Sequence, residues 1–175
     1  EEEMVQFLQR GDWPGYDFNS PYFRWKVEMS GEQLAAAINH NLAQRYQEQP
    51  EFILTREGGE FCSIEIPRNP IGQLRGIRVL QRGGGGNIMI LEVEGSNGTY
   101  RIMKEYNIRN VLRPANYLPD GSPVILQRHD GSRVLDYAIL PSAFVYFDLE
   151  RDRSGYITRA VISGGGNGHG VGMSQ

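Results

Sequence analysis

At 175 residues the chain is long enough to bury a real core and suits one domain or a small pair. A net charge of −3 leaves no basic footprint, so nucleic acid is not expected as a partner, and no apolar run approaches the ~20 residues that span a bilayer. The lone Cys62 excludes an intrachain disulfide and argues against a cysteine-built metal site within these residues; no metal ligand is assigned here, and no cofactor is expected in this chain.

Residues 1–9 read as a short helix, with Met4, Phe7 and Leu8 on one face and glutamates at its positive end. Gly11 and Pro14 end it. The loop to Pro21 carries Trp13, Tyr16 and Phe18, aromatics that close over the core or stack on sugar rings. Residues 22–29 alternate: Phe23, Trp25, Val27 and Met29 face one way, and Tyr22, Arg24, Lys26 and Glu28 the other, the pattern of a half-buried strand. Arg24 is expected in a structural ion pair. Ser30-Gly31-Glu32-Gln33 is a capping box that starts a helix running to about Gln47. Leu34, Ile38, Leu42 and Tyr46 point inward in it and His40 toward solvent.

Residues 52–54 and 61–66 read as a hairpin around Gly58-Gly59, with Cys62 buried or half-buried in its second strand. A meander follows over residues 74–82, 88–94 and 99–103, turning at 83–87 and at Asn97-Gly98. The four-glycine run at its first turn reads as a hairpin tip, not a phosphate loop. A short helix presents Ile108, Val111 and Leu112 on one side. Residues 124–127 and 133–139 form another hairpin through His129-Asp130-Gly131, where the His-Asp pair reads as turn chemistry in preference to catalysis. Leu140-Pro141-Ser142 breaks the pairing, and residues 144–149 and 156–162 are the last strands. Few helices and many hairpin-linked strands predict an α+β domain with a mainly antiparallel sheet.

The last strand runs into Gly164-Gly165-Gly166-Asn167-Gly168-His169-Gly170-Val171-Gly172-Met173-Ser174-Gln175. Glycine lets backbone or ligand approach where a Cβ would block, and ordering so many glycines has an entropic cost that a site would justify. A nucleotide loop needs Lys-Ser/Thr after its glycines and then a helix, whereas Met173-Ser174-Gln175 follows here. A flexible tail is the plainer reading; Val171 and Met173, alternating with glycine, argue for packing instead. The segment is therefore expected to line a groove. His169 is its only ring nitrogen. It either donates to a ligand or satisfies backbone carbonyls as a buried histidine.

Gly168-His169-Gly170-Val171-Gly172-Met173-Ser174-Gln175 resembles the signature of the stage II sporulation protein D / amidase-enhancer LytB family. Two further stretches are similar to family landmarks in the same order, Ser20-Pro21-Tyr22-Phe23-Arg24-Trp25 and Leu140-Pro141-Ser142-Ala143-Phe144, so the resemblance spans the chain.

The resemblance implies an enzyme of the bacterial cell envelope or sporulation septum, outside the cytoplasm, that cleaves peptidoglycan glycan strands as a lytic transglycosylase. The alternative it carries is a wall-binding module that stimulates a cell-wall amidase. It implies an auxiliary catalytic role for His169 and substrate contacts from Ser142, Gly168, Gly170, Ser174 and Gln175. The family's proposed acid lies in a Glu-Met-Pro-type motif. Here Glu3-Met4 is followed by Val5, so that match is superficial. The expectation is a partial domain, the family's catalytic segment and metal positions lying before it and the family's end after it. A membrane anchor on the parent protein stays open.

Overall fold

The structure is a computed structural model and describes residues 1–9 and 20–167. Three helices are described, α1 (Glu2–Gln9), α2 (Gly31–Glu48) and α3 (Glu105–Val111), with a single 3-10 turn at Pro50–Phe52. The strands are β1 (Trp25–Ser30), β2 (Ile53–Glu57), β3 (Glu60–Cys62), β4 (Leu74–Arg82), β5 (Ile88–Gly95), β6 (Thr99–Met103), β7 (Ile125–Arg128), β8 (Arg133–Leu135), β9 (Val145–Arg151) and β10 (Ile157–Gly164). The fold is α+β and mostly sheet, as the sequence predicts. The strands divide between two antiparallel sheets, in the orders β8-β7-β1-β10-β9 and β3-β2-β6-β5-β4.

Helix α2 is the shared core element. It packs on β1 and β10 of the first sheet, on β2 and β4 of the second, and against α3. Its start is fixed by the capping box: Gln33 N donates to Ser30 Oγ at 3.1 Å and Ser30 N to Gln33 Oε1 at 3.0 Å. Leu34, Ile38 and Leu42 are fully buried against Val27, Met29, Ile53, Leu91, Ile102 and Ile162. Burial of each such side chain contributes roughly 1.5–3 kcal/mol before conformational entropy is set against it. Gly31 lets β10 cross the first turn of α2, since a Cβ there would stand 1.7 Å from the Ile157 carbonyl oxygen.

Three strands are shorter than their alternation predicts. β1 begins at Trp25, not Tyr22, because residues 20–24 form a turn closed by Phe23 N to Ser20 O at 3.1 Å. The inward alternation of Phe23, Trp25, Val27 and Met29 survives the turn. β3 stops at Cys62, and the Ser63 hydroxyl turns back to the Pro50 carbonyl. β8 stops at Leu135, because Asp136 takes a left-handed φ of 46° and clasps Val124 through both its backbone N–H and its carboxylate. His40 is exposed as expected, and it stacks on Tyr117 with ring centroids 4.2 Å apart. Trp13, Tyr16 and Phe18 lie outside the described residues.

Candidate functional site

Three segments far apart in sequence meet at the end of β10. The β1–β10 register sets Trp25 against Gly164, and a Cβ at Gly164 would lie 2.4 Å from the indole ring. Only glycine allows that approach. The Trp25 Nε1 donates to the Gly166 carbonyl at 3.0 Å, and Gly166 N returns a bond to the Tyr22 carbonyl at 2.7 Å. From the other side Gly165 N donates to Phe144 O at 3.1 Å, and the Ser142 hydroxyl donates to Gly165 O at 2.7 Å. Residues 20–25, 140–144 and 164–166 thus form one hydrogen-bonded knot.

Buried Arg109 holds the second of these segments, donating to the Leu140 carbonyl at 2.8 Å and the Pro141 carbonyl at 3.1 Å. Its pKa is lowered by burial. Tyr137 packs on Tyr22, ring centroids 5.7 Å apart. Burial raises its pKa, a hydrogen bond with Tyr22 adds to that, and one with Asn167 opposes it. The aromatic pair therefore reaches the last described residue of the glycine segment.

Arg24 does not form the expected ion pair with any described residue. Its guanidinium lies 4.2 Å from the Phe23 ring centroid and 4.8 Å from that of Phe7. It donates to the Phe23 carbonyl at 2.7 Å and the Phe7 carbonyl at 3.2 Å, its buried Nε has no hydrogen-bond partner among the described residues, and desolvation lowers its pKa. The contact to Phe7 ties α1 to the knot.

Beside the knot a cleft of about 390 Å³ opens between the end of α1 and the outer face of the first sheet. Gln9, Lys26, Gln127, Tyr146 and Ser163 give it hydrogen-bonding groups, Arg24 and Lys26 give it positive charge, and its described lining contains no carboxylate. The carboxyls whose acidity is shifted lie elsewhere and are all shifted downward: Glu1 by Arg82, Glu28 by Arg159, Asp120 by Asn116 and Asp130 by Ser132. These groups are ionised near neutral pH and are not proton donors there. A larger cleft, about 460 Å³, lies along α2 around Asn39, His40, Gln73 and Tyr117 and shares no residue with the knot. We take the smaller cleft as the candidate site because two of the converging segments line it, through Arg24, Trp25 and Gly164.

Of the residues singled out in sequence, Ser142 is at the knot. It is buried, and its hydroxyl supports the glycine segment. His169, Gly168, Gly170, Ser174 and Gln175 lie outside the described residues. His129-Asp130 is a turn, as read: Asp130 Oδ1 accepts from Ser132 N at 2.9 Å, and the His129 ring meets Phe23 edge-on. Sequence reasoning missed Arg109, Tyr137, Gln127 and Ser163 as parts of the site. Only the outward alternation of Lys26 along β1 gave a signal, because strand pairing across the sheet is not written in local pattern.

No family model, curated protein or solved structure matches the chain. Among the described residues no group of three or more His, Cys, Asp and Glu side chains is placed to hold a metal ion, and no helix is long and apolar enough to cross a membrane.

Proposed function

We propose that this chain forms the glycan-holding part of a peptidoglycan lytic transglycosylase, acting outside the cytoplasm on cell-wall strands during sporulation or wall remodelling. The observation that carries the reading is the convergence of residues 20–25, 140–144 and 164–166 on one knot beside a polar, cationic cleft. Two of these segments, 20–25 and 140–144, are stretches on which the family resemblance rests, and the third, 164–166, leads in sequence into the octapeptide that carries the rest of it.

In this reaction a carboxylic acid protonates the oxygen of the leaving sugar as the C1–O bond breaks. The resulting carboxylate then takes the proton from the C6 hydroxyl of the muramic residue, whose oxygen bonds to C1. The product carries a 1,6-anhydro end, and no water is consumed. The cleft supplies positioning through Gln127, Tyr146, Ser163 and Lys26. His169, on the continuation of the segment that Ser142 holds, is the group we assign to orient substrate or acid.

The described lining, which holds no carboxylate, favours one second reading, a wall-binding module that stimulates an amidase without cutting glycan itself. The test is to incubate glycan strands with this chain and with a longer protein that joins it to a Glu-Met-Pro helix. Anhydromuramic ends are then read by mass spectrometry. Products from the longer protein alone support the transglycosylase reading. Products from this chain alone mean that it contains the acid, and Glu3 becomes the first residue to replace. Products from neither, with a stimulated amidase, favour the second reading.

A further inference from the structure

The outer face of the first sheet carries a row of polar side chains running across all five strands. The register pairs Tyr146 with Ser163, Ser163 with Lys26, Lys26 with Gln127, and Gln127 with Arg133. Directly paired residues point to the same face, so each strand contributes one side chain to the row. Lys26 and Arg133 are exposed; Tyr146, Ser163 and Gln127 are half-buried. Tyr146, Ser163, Lys26 and Gln127 line the cleft beside the knot. The carboxylates of this face stand further along the strands: Asp148 and Glu28 in the next row, either side of Val161, and Glu150 beyond them, Glu28 and Glu150 being engaged by Arg159.

We propose that this row is a saccharide track, on which a β-1,4-linked chain lies perpendicular to the strands with about one ring over each strand. The inference rests on the glycan reading above and specifies which surface takes the polymer and in what direction. Neighbouring strands are roughly 4.8 Å apart, close to the advance per ring of such a chain, so the five-strand row spans roughly 19 Å and keeps step with the polymer. The row offers a phenol, a hydroxyl, an amide and two cations. Those groups match the hydroxyl, acetamido and carboxylate substituents of an acidic amino-sugar polymer. Two cations without a carboxylate in the row favour a strand that bears negative charge.

The test is calorimetric titration of the chain with N-acetylglucosamine oligomers of increasing length, neutral and carboxymethylated. Affinity should rise with each added ring and level off near four or five, the number of strands crossed. Gln127→Ala should weaken binding of the long oligomers roughly 3- to 10-fold, the loss of about one hydrogen bond. Lys26→Gln should erase most of the preference for the carboxymethylated form. Arg133→Ala should bring the levelling-off one ring earlier. Arg56→Gln, on the second sheet, should change nothing, and all four variants should melt with the parent. Oligomers that bind indifferently to Gln127→Ala and Lys26→Gln overturn the track and leave the glycan reading standing. Absence of binding to any oligomer overturns both.

Discussion

The Ser142 hydroxyl donates to the Gly165 carbonyl at 2.7 Å across 23 residues of chain, and Ser142 is only 4% exposed. Replacing it with alanine leaves a buried carbonyl without that partner, which costs about 1–3 kcal/mol. Ser142→Ala should therefore lower the melting temperature by about 2–4 °C per kcal/mol. It should also speed hydrogen exchange at Gly165 and Gly166, whose N–H groups bond to Phe144 O and Tyr22 O in the same knot. Unchanged exchange there would mean that Ser142 does not hold the segment.

Gly31→Ala tests the crossing of α2 and β10. Helix propensity alone makes Gly→Ala stabilising by roughly 0.5–1 kcal/mol. The added Cβ would stand 1.7 Å from Ile157 O and 2.6 Å from Ile157 C, and both are backbone atoms that no rotamer change can move. The clash wins, and the variant should lose about 3 kcal/mol or more, the top of the overpacking range. Gly58→Ala is the comparison. It meets nothing within 4 Å, and only its φ of 58° opposes a side chain, so its loss should stay near 1–2 kcal/mol. Chemical denaturation of both ranks them; equal losses would contradict the steric account.

Local chemistry was legible and cross-sheet chemistry was not. The capping box at Ser30 and the three-strand meander follow from neighbouring residues, and the structure has them where the pattern puts them. The division into two sheets follows from which strands pair at long range, and alternation carries no information about that. The same limit hid the site. Lys26 is readable as outward-facing, but its alignment with Ser163 and Gln127 depends on two registers set by the whole sheet. Arg24 misled for a related reason. An outward arginine in a strand pattern suggests a carboxylate partner, yet the turn at residues 20–24 brings it over two phenyl rings and two carbonyl oxygens.

Burial raises the pKa values of both Tyr100 and Tyr137 above the ordinary tyrosine value of about 10. The folded state thus holds these protons more tightly than the unfolded chain does. The stabilisation is fully present below pH ~10 and is lost as pH rises through the folded-state values. Melting temperature should hold as pH approaches 10 and fall above it. Tyr137→Phe should make that alkaline fall shallower than in the parent. An identical slope in the variant would show that Tyr137 does not carry this dependence.

Arg24 reaches the last described turn of α1, where it donates to the Phe7 carbonyl, a position at which a cation is favoured by the helix dipole. Its planar guanidinium contacts two rings and two carbonyl oxygens at once, which an ammonium on a flexible stem cannot reproduce. Arg24→Lys keeps a strongly hydrated charge in a site whose desolvation already lowers the arginine pKa. Arg24→Met keeps the packing stem and removes the charge. Both variants should release α1, seen as faster hydrogen exchange across residues 2–9. Arg24→Lys should be the less stable of the two by about 1 kcal/mol, because an under-solvated charge without full compensation is the larger penalty. Exchange measured alongside chemical denaturation separates the two effects. A lysine variant that retains parental stability and parental protection of α1 would show that positive charge alone, not the shape of the guanidinium, anchors the helix.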